Sequence, residues 1–85
     1  MDIKEKIKQM PDTPGVYLMK DKAGKVIYIG KAKSLKKRLS SYLARDISTK
    51  TVALMSNVYD IKYRVCQNEG LAMLLEAGLI HKYKP

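Results

Sequence analysis

The chain is poor in the side chains that most enzyme centres use. Its 85 residues include one cysteine and one histidine. Cys66 alone cannot close an internal disulfide, which points to a reducing cytosol. The same scarcity argues against a Cys/His zinc site and against a nuclease that needs two histidines. Cys66, on a strand, reads as a small buried hydrophobe, and His81, among Lys82 and Lys84, reads as a solvated helix-end residue. No apolar run approaches membrane-spanning length, and the N-terminal Met-Asp-Ile-Lys-Glu-Lys has no apolar signal region. Acids are scarce too: 8 Asp and Glu stand against 17 Lys and Arg, a net charge of +9.

That surplus favours a polyanionic partner, most often nucleic acid. A ribosomal-type binding protein or a merely solvated basic surface would share it, and charge alone does not separate them. Hydrophobic residues make up 46% of the chain, too many for disorder at this length. The length suits one domain, residues 1–85, with one modest core.

In order along the chain, residues 3–9 can form a short helix with Ile3 and Ile7 one turn apart. Pro11 and Pro14 stop it. Residues 15–20 read as a strand, 21–25 as a turn with Gly24 available for positive φ, and 26–29 as the second strand of a hairpin. Tyr17 and Tyr28 lie on facing strands; whether they share a face depends on register, which remains open at this point. Gly30 is expected to break the second strand at a strand-to-helix turn. Ser34 can cap a helix over 34–44 with Leu35, Leu39 and Tyr42 inward. Ser48 can cap another, with Val52 and Met55 inward. Residues 59–66 alternate as a half-buried strand, with Ile61, Tyr63 and Val65 on one face. Asn68 can cap a last helix with the stripe Leu71, Leu74, Leu75 and Leu79, in which Gly78 is a mild defect. The order α-β-β-α-α-β-α predicts an α/β (α+β) sandwich, a small, mainly antiparallel three-stranded sheet flanked by helices. The terminal Lys84-Pro85 suggests a piece of a longer protein.

Four chemistries deserve weighing. Gly24 to Gly30-Lys31 has one residue too many for a phosphate-cradling P-loop and lacks the Ser or Thr after the lysine. Cys66 with His81 is too thin for nucleophilic catalysis. Glu69 and Glu76 share a helix face, but two turns separate them by roughly 10 Å, too far for one ion. Glu69 suits the helix start beside its cap, whereas Glu76 sits in an apolar stretch. Such an acid is commonly solvated, yet one carboxylate with waters and a substrate phosphate is a normal Mg²⁺ arrangement. The fourth candidate is tyrosine chemistry. Arg38 and Tyr42 are i, i+4 neighbours and can address one site, with Lys31, Lys33, Lys36 and Lys37 around it.

Gly15-Val16-Tyr17, then Tyr28-Ile29-Gly30, then Arg38 and Glu76, in that order and spacing, resemble the GIY-YIG nucleases. The stretches PGVYLMKDKAGKVIYIGKAKSLKKRLSSY and NEGLAMLLEAGLIHKYKP are similar to the excinuclease branch of that family, and the resemblance covers nearly the whole chain. Gly78 and His81 depart from the polar or lysine residues more usual there, outside the motif. The resemblance implies a cytoplasmic bacterial DNA endonuclease domain that makes the 3′ incision in nucleotide excision repair, on damaged double-stranded DNA prepared by UvrA and UvrB. It also implies a second nuclease domain in the whole protein and a further asparagine beyond Pro85. It assigns one Mg²⁺ or Mn²⁺ to Glu76, phosphate contact to Arg38 and Tyr42, and the general base to Tyr28 with Tyr17 beside it, or the reverse. Gly15 and Gly30 are its structural glycines. A tyrosine base needs nearby cations to lose its proton, and Lys31 and Arg38 are placed to supply them. Lys31, Lys33, Lys36, Lys37 and Arg38 would grip the DNA backbone. The alternatives are a stand-alone GIY-YIG repair or homing nuclease, and a non-catalytic nucleic-acid-binding module of the same fold.

Overall fold

Side-chain caps mark every helix start. In the computed structural model, which describes residues 2–85, Asp2, Ser34, Ser48 and Asn68 each accept a backbone N–H from the first turn of a helix, satisfying donors that a helix cannot pair internally. The helices are α1 (Ile3–Lys8), α2 (Leu35–Ser41), α3 (Thr49–Asn57) and α4 (Glu69–Tyr83). The strands β1 (Gly15–Lys20), β2 (Val26–Ala32) and β3 (Asp60–Val65) complete the expected order. They form one antiparallel sheet in the spatial order β2-β1-β3. The β1–β2 hairpin closes through Asp21, whose side chain accepts from the N–H groups of Ala23 and Lys25, with Gly24 at φ +86°. Left-handed backbone of this kind costs glycine little.

Register resolves the open question of the tyrosines. Tyr17 pairs with Gly30, and Met19 pairs with Tyr28. Directly paired residues share a face, so Tyr17 and Tyr28 lie together. On that face Tyr17, Met19, Ala32 and Ile61 build the main core with Ile7, Met10, Leu35, Leu39 and Tyr42. The other face carries a smaller cluster of Leu18, Val26 and Ile29 under Leu79 of α4. The first turn of α2 is tied to the proline segment: Leu35 N–H donates to the Thr13 carbonyl at 2.9 Å and Lys36 N–H to the Pro11 carbonyl at 3.1 Å. Lys6 of α1 pairs with Asp60 at the start of β3, and this ammonium, bonded to the Asp60 carboxyl, holds it below the usual carboxylate range.

Five boundaries or faces differ from expectation. Gly30 does not end β2, which runs on to Ala32. Its glycine serves close approach instead: a Cβ there would stand 2.3 Å from the Tyr17 hydroxyl and 2.4 Å from the ring carbon that bears it. The helix expected over 34–44 closes earlier, with Tyr42 as its C-cap. The expected inward Val52 is 51% exposed, and Leu54 packs on the core beside Met55 instead. In α4 the buried position is Ala72, while Leu71 and Leu74 face solvent. That helix is apolar nearly all round, so periodicity cannot choose its face. β3 buries only Ile61; as an edge strand it leaves Tyr63 and Val65 uncovered.

Two alanine substitutions should move stability in opposite directions. Gly30→Ala drives a methyl into the buried Tyr17 ring and should cost about 1–3 kcal/mol. Gly78→Ala, whose added Cβ meets nothing within 4 Å, should stabilise α4 by about 0.5–1 kcal/mol. Urea denaturation midpoints of the two variants check both signs.

Candidate active site

Tyr17 lies at the centre of a small polar network inside the main core. Its hydroxyl shares a 2.7 Å hydrogen bond with the Tyr42 hydroxyl and accepts from Nε of Arg38 at 3.4 Å. The Arg38 guanidinium also lies 5.2 Å over the Tyr42 ring, a cation–π distance. The Tyr17 ring is 6.3 Å from Tyr28 and meets Tyr42 edge-on at 6.1 Å. Each member arrives from a different element: Tyr17 from β1, Tyr28 from β2, Arg38 from α2 and Tyr42 from its C-cap. Tyr17 and Tyr42 are buried, whereas Tyr28 is half-buried and Arg38 exposed, so Tyr28 and Arg38 present the network to solvent.

Two clefts meet at Arg38. One, of about 290 Å³, is lined by Tyr28, Arg38 and Tyr42 together with Lys50, Thr51 and Leu54 from α3. The other, of about 400 Å³, is lined by Lys31, Ala32, Lys33, Ser34, Lys37, Arg38, Ser41 and Glu69. Of the expected backbone-gripping lysines, Lys31, Lys33 and Lys37 therefore gather at one cleft, and Lys36 does not line it. Lys50 escaped sequence reasoning, because its helix carried only a packing role there. Gly15 lies where β1 meets β3, and a Cβ on it would come within 2.3 Å of the Arg64 carbonyl and 2.7 Å of the Leu35 side chain.

The electrostatics reverse one expectation. Lys31 and Arg38 were to pull the Tyr28 hydroxyl down. Burial, followed by its neighbour Tyr42, instead raises it above the ordinary tyrosine value, with Arg38 opposing. Lys31 is otherwise engaged, its ammonium 3.7 Å from Glu69; Lys33 shares the same carboxylate at 3.9 Å. Burial and the bond to Tyr17 push Tyr42 up to about 12. The bond to Tyr17 likewise raises the Arg38 guanidinium, keeping it charged.

Residues 13–85 match the family model described as the UvrC-like GIY-YIG domain. The chain belongs to that family. It is 49% identical over 83 residues to UvrABC system protein C of Streptococcus pyogenes, both in serotype M5 strain Manfredo and in serotype M49 strain NZ131. That alignment covers 98% of this chain and 14% of each relative, so the chain spans about one seventh of the curated relatives it matches. Its fold superposes on the crystal structure of the GIY-YIG N-terminal endonuclease domain of UvrC from Thermotoga maritima, bound to its catalytic divalent cation, magnesium. The TM-score is 0.90 at 44% identity, over 100% of this chain and 96% of that one. A tyrosine-to-phenylalanine mutant of the same Thermotoga domain, also bound to the catalytic cation, gives 0.90 at 42% identity, over 100% and 94%.

The GIY-YIG residues of this chain fit a divalent cation held at a single carboxylate. Glu76 of α4 is half-buried, and its negative charge reaches Tyr28, adding to the rise of that hydroxyl. Glu69 is occupied by Lys31 and Lys33. Among the described residues no three His, Cys, Asp or Glu gather in a metal-binding group. One acid leaves the remaining positions of a hard cation to water and substrate oxygens, the usual arrangement for Mg²⁺.

The raised tyrosines give a signature in alkali. A hydroxyl that ionises later in the fold than in the unfolded chain stabilises the fold fully below the unfolded value, near 10. For Tyr42 that contribution is lost as pH climbs towards about 12. Phenolate absorbance should show Tyr42 among the last of the six tyrosines to ionise, and folding stability should fall across pH 10–12. Tyr42→Phe should flatten that fall; an unchanged alkaline slope would remove Tyr42 as its source.

Proposed function

We propose that this domain is a metal-dependent DNA endonuclease that makes the 3′ incision at damaged DNA in bacterial nucleotide excision repair. The observation that carries the reading is the network of three tyrosines and Arg38, open to basic clefts through Tyr28, Tyr42 and Arg38, with the charge of Glu76, an acid without an ion-pair partner among the described residues, acting on Tyr28. Its expected setting is the bacterial cytoplasm; no helix of the described residues is long and apolar enough to cross a membrane. UvrA and UvrB would act upstream, through the rest of the longer protein.

The roles follow from exposure and charge. Tyr17 and Tyr42 bond to each other and are buried, so Tyr28 is the hydroxyl open to an attacking water. After giving its own proton to solvent, its phenolate would take the water's proton as the water oxygen bonds to phosphorus and the phosphorus–O3′ bond breaks, leaving a 5′-phosphate and a 3′ oxygen that takes a proton from solvent. Tyr17 holds Arg38 against it, and the permanently charged guanidinium donates to the equatorial phosphate oxygens as negative charge builds. Glu76 would hold a divalent cation, which would supply charge to polarise the phosphate and stabilise the departing 3′ oxygen. Burial keeps the resting Tyr28 protonated, and Arg38 supplies the opposing positive field.

Glu76→Gln separates cutting from binding. The change preserves side-chain shape and removes the charge, so stability should change little and the lysine clefts should still hold DNA. In an assembled excision complex the 3′ cut should disappear while the 5′ cut and DNA binding persist. Mapping both cuts on a lesion-bearing duplex checks it; a wild-type 3′ cut in Mg²⁺ would contradict the role of Glu76.

A further inference from the structure

We propose that Lys50 is a substrate-binding residue of the tyrosine cleft, contacting a backbone phosphate of the strand to be cut from the side opposite Arg38. The inference rests on the nuclease reading and adds a DNA contact from α3. Three observations lead to it. Lys50 and Thr51 line the same cleft of about 290 Å³ as Tyr28, Arg38 and Tyr42, so a phosphate entering to meet Tyr28 passes within the reach of both α2 and α3. Lys50 is exposed, and among the described residues no carboxylate lies within ion-pair distance of it. Of the other cations at the two clefts, Lys37 lines only the neighbouring one. Lys31 and Lys33 lie in the neighbouring cleft and already share Glu69, and Arg38 is tied to Tyr17 and stacked over Tyr42.

The neighbouring side chains narrow the role to Lys50. The Thr51 hydroxyl lies 3.0 Å from that of Ser48, within the helix cap, and Leu54 is packed on the core. Lys50 is thus an exposed positive charge of the cleft without an ion-pair partner among the described residues, and phosphate is the anion that a nuclease brings there. Arg38 belongs to both clefts, which gives the strand a path: one phosphate between Arg38 and Lys50, the next towards Lys31, Lys33 and Lys37. Such contacts hold the backbone in register without reading sequence.

Binding of the protein to a short mixed-sequence duplex, followed by fluorescence anisotropy over a KCl series, tests this. Each phosphate contact adds about 0.9 to the salt slope, and the whole surface, at roughly three to five contacts, should give a slope of about −3 to −4. Lys50→Met should shallow that slope by about 0.9, with an unchanged melting temperature. Lys50→Arg should restore it. Arg64→Met, an exposed charge on the far edge strand β3, should leave it alone. A wild-type slope in Lys50→Met, alongside a shallower one in Arg38→Met, overturns the inference and leaves the nuclease reading standing. No change in either variant overturns both. An equal loss in Arg64→Met also overturns the inference, since the contact would then not belong to this cleft.

Discussion

The hydrogen bond between the Tyr17 and Tyr42 hydroxyls is the constraint on which the site depends. It joins the central strand to the end of α2 in the interior of the main core. The buried polar pair is tolerable because each hydroxyl satisfies the other. Tyr17 reaches that position only because Gly30, its cross-strand partner, has no side chain to stand in the way. The bond in turn places the Tyr17 oxygen where Nε of Arg38 can find it. Core packing and phosphate chemistry therefore share one side chain, and the glycine and tyrosine motifs on the two strands are two halves of a single contact.

Charge is distributed around this anchor with the same economy. The acid that lines the lysine cleft, Glu69, offsets Lys31 and Lys33, which limits mutual repulsion among clustered cations. Arg38 remains fully charged at the junction of the clefts. Tyr28 and Tyr42 stay neutral at rest because burial opposes phenolate, so they do not repel the phosphates the site is built to receive. Glu76, whose charge reaches Tyr28, has no lysine or arginine within ion-pair distance among the described residues, which suits it to a cation from solution.

Much of this was legible in the residues themselves. The caps Ser34, Ser48 and Asn68, the hairpin turn at Asp21–Lys25 and the element order follow from local chemistry, and the structure agrees. So does the pairing of Arg38 with Tyr42, because i, i+4 spacing on a helix is a short-range fact. What escaped was long-range. The shared face of Tyr17 and Tyr28 needed register, and the purpose of Gly30 needed the ring across the strand. The face of α4 could not be read from a helix apolar on all sides, and Lys50 reaches the cleft only because the fold brings α3 to line it together with Tyr28. The direction of the Tyr28 shift also depended on burial, which outweighs the nearby positive charge.

The most direct test removes one oxygen atom. Tyr28→Phe keeps the ring that packs beside Tyr17 and deletes the hydroxyl that faces the cleft. With Tyr28 as the base, single-turnover 3′ incision in the assembled repair complex should fall by about 10²-fold or more, the usual yield of a positioned proton acceptor, with DNA affinity and melting temperature close to wild type. Incision by Tyr28→Phe at the wild-type rate would contradict a nuclease centred on this tyrosine.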